Sequence, residues 1–332
     1  MNVLNVCPGT LAEGYTSYSP ICLKNMFDGR KVSHILTYKP PVRDEEIVEK
    51  FIENRKRISI SGMQEKLSFL MEKNRLRLTE EGEQGTYILK PIPRDLKRVS
   101  QVPANEHLTM QIAKQVYQIK VAENVLIFFQ DGTSAYLTKR FDVKSNGEKL
   151  GIEDFATLAG KSVDSGGSNF KYDYNYEAIG ALIRQYVPAW QVEIEKYFKL
   201  VLFNYLFSNG DAHLKNFSLL ETSKDDYVLS PAYDLINTSL HVNDTDFALS
   251  EGLFLDSFKS IDYKRNAHPS RRDFIEFGRR IGVKEYRIEK LLAPFLEKQA
   301  AVKMLLERSF LDKSSKKGYL ISYNTKRNYL NA

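Results

Sequence analysis

The chain has 332 residues, 42% of them hydrophobic and 27% charged, with a net charge of +6. That is enough apolar material for one large domain or two lobes, and it excludes a disordered, collagen-like or disulfide-framed chain. The first residues, MNVLNVCPGT, lack a basic stretch followed by an apolar run, and the most apolar segment, LVLFNYLF, is short and broken by Asn204, so neither a secretory leader nor a membrane anchor is expected.

Residues 1–57 read as a loop-rich segment followed by a helix over Arg43 to Asn54, where Asp44, Glu45 and Glu46 favour the N-terminal end. Cys7 and Cys22 do not make a disulfide framework, which fits a reducing, cytoplasmic setting. Two sulfurs also fall short of the four ligands of a structural zinc site, so this segment reads as metal-free. Strands follow at Arg57–Ser61, Lys66–Glu72, Leu76–Thr79 and Thr86–Pro91, with a turn at Glu72-Lys73-Asn74. Ala104 to Tyr117 reads as a helix. Val125–Phe129 and Ser134–Phe141 read as a hairpin through Asp131-Gly132.

After Asp142 the pattern turns helical. A helix is expected over Glu153–Ala159, a flexible loop at Asp164-Ser165-Gly166-Gly167-Ser168, and helices over Tyr176–Tyr186 and Trp190–Ser208. The last of these is apolar nearly all round, the mark of a buried central helix. A β-pair follows at Phe217–Glu221 and Tyr227–Ser230, and the longest C-terminal helix is expected over Lys284 to Glu307. The expected fold class is α+β and two-lobed: a lead-in segment over 1–56, a strand-rich N-lobe over 57–142 and a helical C-lobe over 143–332, with a cleft between the lobes. Basic clusters such as Arg55-Lys56-Arg57, Arg271-Arg272 and Arg279-Arg280 read first as solvated surface, and second as contacts for phosphates or an acidic partner.

The chemistry concentrates in Asn209-Gly-Asp-Ala-His-Leu-Lys-Asn216, directly after the buried helix. Asp211 and Asn216 have the D-x-x-x-x-N spacing of a kinase catalytic loop, in which a carboxylate orients the acceptor hydroxyl and an amide oxygen holds a metal ion. Asp234, one β-hairpin further on, is placed as the second ligand, and hard oxygen donors of this kind suit Mg²⁺ bound through nucleotide phosphates. Lys90 ends the strand Tyr87-Ile-Leu-Lys90, and Glu106 opens the next helix; phosphoryl transfer needs such a lysine and a glutamate to position it. Ile58–Lys66 precedes them as a nucleotide loop, with Ser61, Gly62, Gln64 and Lys66 toward the nucleotide. Lys139, Phe141 and Asp142 lie at a hinge position where backbone groups could read adenine. Singly, each has a plain structural reading: Lys90 as an edge lysine, Glu106 as a helix-start acid, Asp234 as a turn residue. Together and in this order they are hard to dismiss.

These motifs — Ile-Ser-Ile-Ser-Gly-Met-Gln-Glu-Lys66, Tyr-Ile-Leu-Lys90, Asn105-Glu106, Lys-Arg-Phe-Asp142, Gly-Asp-Ala-His-Leu-Lys-Asn-Phe217 and Tyr-Asp-Leu235 — resemble those of the HipA-type serine/threonine kinases, toxins of bacterial toxin–antitoxin modules. The resemblance runs from Arg57 to Glu307. It implies a two-lobed fold related to protein and phosphoinositide kinases, use of ATP and Mg²⁺, and transfer of the γ-phosphate to a protein serine, with an aminoacyl-tRNA synthetase as the suggested target. By the same resemblance Asp211 is the catalytic aspartate, Asn216 and Asp234 are metal ligands, and Lys90 binds phosphate. His213 and Lys215 hold catalytic-loop positions, where phosphate contact and loop bracing are both open. Ser59 matches the serine that such kinases autophosphorylate, and Ser61 adds a second hydroxyl. In a strand both would share one face. Full-length relatives carry a further N-terminal subdomain before the nucleotide loop. The short form and the Ser-Ile-Ser loop resemble the HipT-type kinases of three-part systems. That likeness implies a helix-turn-helix antitoxin, DNA reached through it, and a small subdomain-like partner on the N-lobe. A binding module or corepressor, and a kinase outside toxin–antitoxin biology, are the competing readings.

Overall fold

The structure, a computed structural model, describes residues 4–40, 65–93, 96–144 and 146–332. The expected helix over Arg43–Asn54, the strand at Arg57–Ser61 and all of the nucleotide loop before Glu65 lie outside the described residues. The chain divides into two units. The first takes the described parts of Met1–Gln111, Ala122–Lys149 and Met304–Lys316, and the second takes Ile112–Val121, Leu150–Lys303 and Lys317–Ala332.

Helix α1 (Pro20–Phe27) lies in a segment expected to be loop. Its start signal is Ser19-Pro20. The Ser19 Oγ accepts the Cys22 N–H at 3.2 Å, and Pro20 fills the first helical position, where no N–H is needed. Asp28 closes it in the left-handed region. Cys7 and Cys22 are buried and form no disulfide. Cys7 Sγ accepts the N–H groups of Gly9, Thr10 and Ser19 at 3.4, 3.4 and 3.1 Å. Hydrogen bonds from the Cys22 side chain, Thr10 and Ser19 hold the Cys7 pKa down to about 4 against the opposing effect of burial.

The strands β1 (Leu67–Glu72), β2 (Arg75–Leu78), β3 (Tyr87–Lys90), β4 (Asn124–Phe128) and β5 (Ser134–Lys139) form an antiparallel sheet in the order β2-β1-β3-β5-β4. The β1–β2 turn places Lys73 at φ 54°, and the β4–β5 hairpin turns through Asp131-Gly132 as expected, with Thr133 N–H donating to Asp131 Oδ1 at 2.9 Å. One face of this sheet covers a core of Phe69, Tyr87, Leu89, Val125 and Leu137 with Phe27 of α1. Register decides the neighbours that matter: Lys90 on β3 pairs with Tyr136 on β5, so their side chains share a face. Helix α2 (Val102–Gln115) follows the sheet's central strand in sequence.

In the second unit β6 (Ile152–Asp154) leads directly into α3 (Phe155–Leu158). Glu153 and Asp154 were expected as helix. They are strand because β6 pairs with β7, Ile152 opposite Leu220, and Asp154 then caps α3 by accepting the Thr157 N–H at 2.9 Å. The segment expected as a flexible loop is instead α4 (Val163–Gly166) and a 3-10 turn over Gly167–Tyr172; the Ser162 N–H donates to Ser165 Oγ at 2.9 Å at its start. Helices α5 (Tyr176–Tyr186) and α6 (Trp190–Leu206) come next. Helix α6 is buried over most of its length, and each fully buried phenylalanine there, Phe198 and Phe203, contributes roughly 1.5–3 kcal/mol by leaving water. The strands β7 (Ser218–Glu221) and β8 (Tyr227–Leu229) complete a three-stranded antiparallel sheet with β6. Helices α7 (Ile261–Asn266), α8 (Arg271–Ile281), α9 (Glu285–Leu296), α10 (Ala300–Arg308) and α11 (Lys313–Leu330) follow. The expected long helix over Lys284–Glu307 is therefore two. Pro294 removes a helical N–H near the end of α9, Glu297 turns to an extended conformation, and Gln299 Nε2 satisfies the Pro294 carbonyl at 2.9 Å. No described helix is long and apolar enough to cross a membrane.

Candidate active site

The catalytic-loop residues sit on a loop that several buried groups hold in place. It leaves α6 through Ser208, which takes a left-handed φ of 52°. Asn209 Nδ2 donates to Asn204 Oδ1 on α6 at 2.9 Å, and Asn209 Oδ1 accepts the Asp211 N–H at 3.3 Å. Gly210 is required by crowding: a Cβ there would lie 2.4 Å from Asp244 Cβ. Its N–H donates to Thr238 Oγ1, and Thr238 donates in turn to the Ser208 carbonyl, both at 2.9 Å. The Tyr176 hydroxyl holds the Ala212 carbonyl at 2.9 Å. So braced, the loop presents an exposed Asp211.

His213 is buried, and burial together with the nearby Lys171 charge pushes its pKa down to about 3, so the ring is neutral. Among the described residues its buried Nδ1 has no hydrogen-bond partner. Lys215 Nζ is held by Asp154 Oδ2 at 2.5 Å, the carboxylate that also caps α3. The Lys215 carbonyl accepts the Tyr233 hydroxyl at 2.9 Å.

Asn216 and Asp234 are brought into contact. Asn216 Oδ1 accepts the His213 N–H at 3.2 Å, and its Nδ2 donates to Asp234 Oδ2 at 3.3 Å. Asp234 holds a positive φ of 55°, a conformation that costs a non-glycine residue of order 1 kcal/mol and is retained where surroundings impose it. The amide nitrogen faces the carboxylate here while the amide oxygen takes the His213 N–H, and a carboxylate with a carboxamide oxygen is the type of hard donor that suits a hard divalent cation.

In the first unit, Lys90 and Glu106 are joined as the sequence spacing requires. Lys90 Nζ meets Glu106 Oε1 at 2.6 Å, with the side chains 5% and 3% exposed. The Tyr136 ring, set opposite by the β3–β5 register, lies 5.3 Å from the ammonium. Lys139 is otherwise engaged: its Nζ meets Asp28 at 2.7 Å and its N–H donates to the Glu123 carbonyl at 2.8 Å. Asp142 is buried and bound by the Arg140 guanidinium, with Phe141 half-buried between them. Lys66 stands half-buried just before β1, whereas Ser59, Ser61, Gly62 and Gln64 lie outside the described residues.

Residues 58–303 match the model of the HipA-like C-terminal domain, about three quarters of the chain. The chain belongs to the HipA family. A Haemophilus influenzae protein named "Putative kinase" is 26% identical over 313 residues, 90% of this chain and 88% of that protein. Among solved structures, this HipA-family chain is similar to the complex of HipA, HipB and operator DNA of the Shewanella oneidensis MR-1 toxin–antitoxin system. That match has a TM-score of 0.62 at 20% identity, over 88% of this chain and 71% of that one. It is also similar to the Helicobacter pylori proinflammatory kinase CtkA, with a TM-score of 0.51 at 16% identity, over 79% of this chain and 93% of that one. At these identities the likeness establishes the fold: the two-lobed, kinase-like α+β class expected from the sequence.

Several residues that shape the site of this HipA-family protein escaped the sequence reading. Asp154, Tyr172, Tyr176 and Thr238 come from other stretches of chain, and no spacing ties them to Asp211. Asn204 and Asn209 had a signal, since two amides beside the catalytic motif, one inside an otherwise apolar helix, need partners when buried.

Proposed function

We propose that the protein is an ATP- and Mg²⁺-dependent serine/threonine protein kinase, acting as the toxin of a bacterial toxin–antitoxin module of the short HipT type. The buried Lys90–Glu106 pair carries this reading. A lysine ammonium is costly to bury, and a carboxylate that fixes it at the end of a strand holds its charge where a nucleotide's phosphates would need it. Asp211 would accept the proton of the acceptor hydroxyl as its oxygen attacks the γ-phosphorus, and ADP leaves with the electrons of the broken P–O bond. Asn216 and Asp234 would hold Mg²⁺, which when bound neutralises charge on the phosphate oxygens. In this reading His213 and Lys215 would brace the loop, and Lys139, Phe141 and Asp142 would belong to the hinge that meets adenine. Support for the antitoxin side comes from the HipB and operator DNA of the Shewanella complex. The partners proposed here are a helix-turn-helix antitoxin, DNA through it, a small subdomain-like protein and, as substrate, an aminoacyl-tRNA synthetase.

In this reading Ser59 and Ser61 are autophosphorylation sites. A phosphate on either adds nearly two negative charges beside an anionic nucleotide, and the defined phosphoprotein should bind ATP more weakly. Incubation with Mg²⁺ and labelled ATP tests the enzyme: the wild type should label itself on serine, and Asp211→Asn should label roughly a hundredfold less or lower, the scale of a lost general base. Equal labelling of the two proteins refutes the assignment. Growth arrest on expression that survives Asp211→Asn would refute the kinase-toxin link.

A further inference from the structure

The catalytic carboxylate already has a hydroxyl on it. Tyr172, at the end of the 3-10 turn Gly167–Tyr172, donates its O–H to Asp211 Oδ1 at 2.6 Å, the length of a strong hydroxyl–carboxylate bond. Its ring stands edge-on to His213 with centroids 5.2 Å apart, and Lys171 Nζ lies 5.0 Å from the ring centre. The backbone at this point is anchored independently: the Tyr172 carbonyl accepts the N–H groups of Ser250 and Tyr174 at 2.8 and 3.0 Å. The phenol can therefore swing about its side-chain torsions without unravelling the segment. Burial and the Asp211 carboxylate push the phenol's pKa up, which keeps the hydroxyl a donor.

A general base must lie within hydrogen-bond reach of the proton it removes. One oxygen of Asp211 is filled by a group of the chain itself. Resting on the kinase reading above, we propose that Tyr172 is an acceptor gate: its hydroxyl holds the position on Asp211 that the acceptor hydroxyl must take, and a protein acceptor displaces it while water does not. Water is the acceptor to exclude. Its oxygen would attack the γ-phosphorus and its proton would pass to Asp211. The bridging P–O bond would break toward ADP, wasting the nucleotide. A protein segment brings binding energy from contacts remote from the reacting atoms and can use it to turn the phenol aside. Water has none to bring. Tyr172 is thus a positioning residue that discriminates between acceptors.

The test needs no protein target. Phosphate release from Mg²⁺-ATP is measured for the wild type, Tyr172→Phe and Tyr172→Ala, each checked for fold by circular dichroism and for affinity toward a non-hydrolysable ATP analogue. Both variants should hydrolyse ATP about tenfold faster, the factor expected when one charge-assisted hydrogen bond no longer competes for Asp211. Adding Asp211→Asn should abolish the gain. Unchanged or slower hydrolysis in both variants, with wild-type self-labelling intact, overturns the gate and leaves the kinase reading standing. Phosphate found on Tyr172 by mass spectrometry also overturns it, because the residue would then be an acceptor itself. Absence of both hydrolysis and labelling from every protein overturns the gate and the kinase reading together.

Discussion

Replacing Glu106 by alanine separates the two roles of its pair with Lys90. The ammonium and carboxylate meet at 2.6 Å, and neither side chain is more than 5% exposed. Removing the carboxylate takes a close charge partner from a buried ammonium, which costs about 3–5 kcal/mol. At roughly 2–4 °C per kcal/mol, the midpoint of thermal unfolding should fall by about 10 °C. The double substitution Lys90→Met with Glu106→Leu removes both charges and keeps similar volume. Because burying two ions costs about as much as their attraction returns, it should recover most or all of the lost stability. It should not recover phosphoryl transfer, because no cation remains to meet the phosphates. Circular dichroism melts at one protein concentration and labelling with ATP provide the two readouts. A double variant as unstable as Glu106→Ala would show that charge burial is not what the carboxylate compensates. A double variant that still labels itself like the wild type would refute the role assigned to Lys90.

Burial holds the pKa of His107 down to about 4 from 6.5, with Nε2 against the Gly9 carbonyl at 3.0 Å. The folded state then binds fewer protons than the unfolded chain between these values, so stability is complete above pH 6.5 and falls as the pH drops toward 4, by about 3 kcal/mol at pH 4. His107→Gln should flatten that slope in denaturant titrations, and an unaltered slope would count against it. Asp154→Asn keeps the α3 cap, since asparagine caps as well as aspartate, but strips Lys215 of its charge partner. Stability should change by under about 1 kcal/mol, while ATP turnover falls roughly tenfold through misplacement of the loop; wild-type turnover would show that the pair is dispensable. Gly210→Ala forces a Cβ to within 2.4 Å of Asp244 Cβ, which is not the flexible end of a side chain. It should cost about 1–3 kcal/mol by overpacking and weaken labelling by displacing Asp211; an alanine variant as stable and active as the wild type would refute the crowding argument.

The local sequence was most legible where one interaction dominates. The Asp131-Gly132 hairpin, the buried helix α6 and the strand ending at Lys90 follow from turn chemistry and hydrophobic period alone. It misled where tertiary pairing competes with local preference. Glu153 and Asp154 look like a helix start, yet β7 draws them into a strand, and Asp154 starts the helix only as its cap. The glycines of 164–168 look like a loop, yet the segment is helical and ends in the tyrosine that reaches Asp211. Pro294 is a local stop signal, and the single helix expected over Lys284–Glu307 ends just after it.

The sequence by itself determined the family and the fold class, and it named the candidate site residues. Those properties depend on spacing along the chain and on which side chains carry charge or oxygen donors. Only the tertiary structure decided which groups meet. Arg308 reaches Glu13 at 2.6 Å, and the Asp312 N–H reaches Gln101 at 2.8 Å, so residues near the C-terminus build the first unit. Asp154 meets Lys215, and the Tyr172 hydroxyl meets Asp211. Such contacts arise when distant segments bury their apolar faces and bring their polar groups into register. Sequence separation carries no record of that.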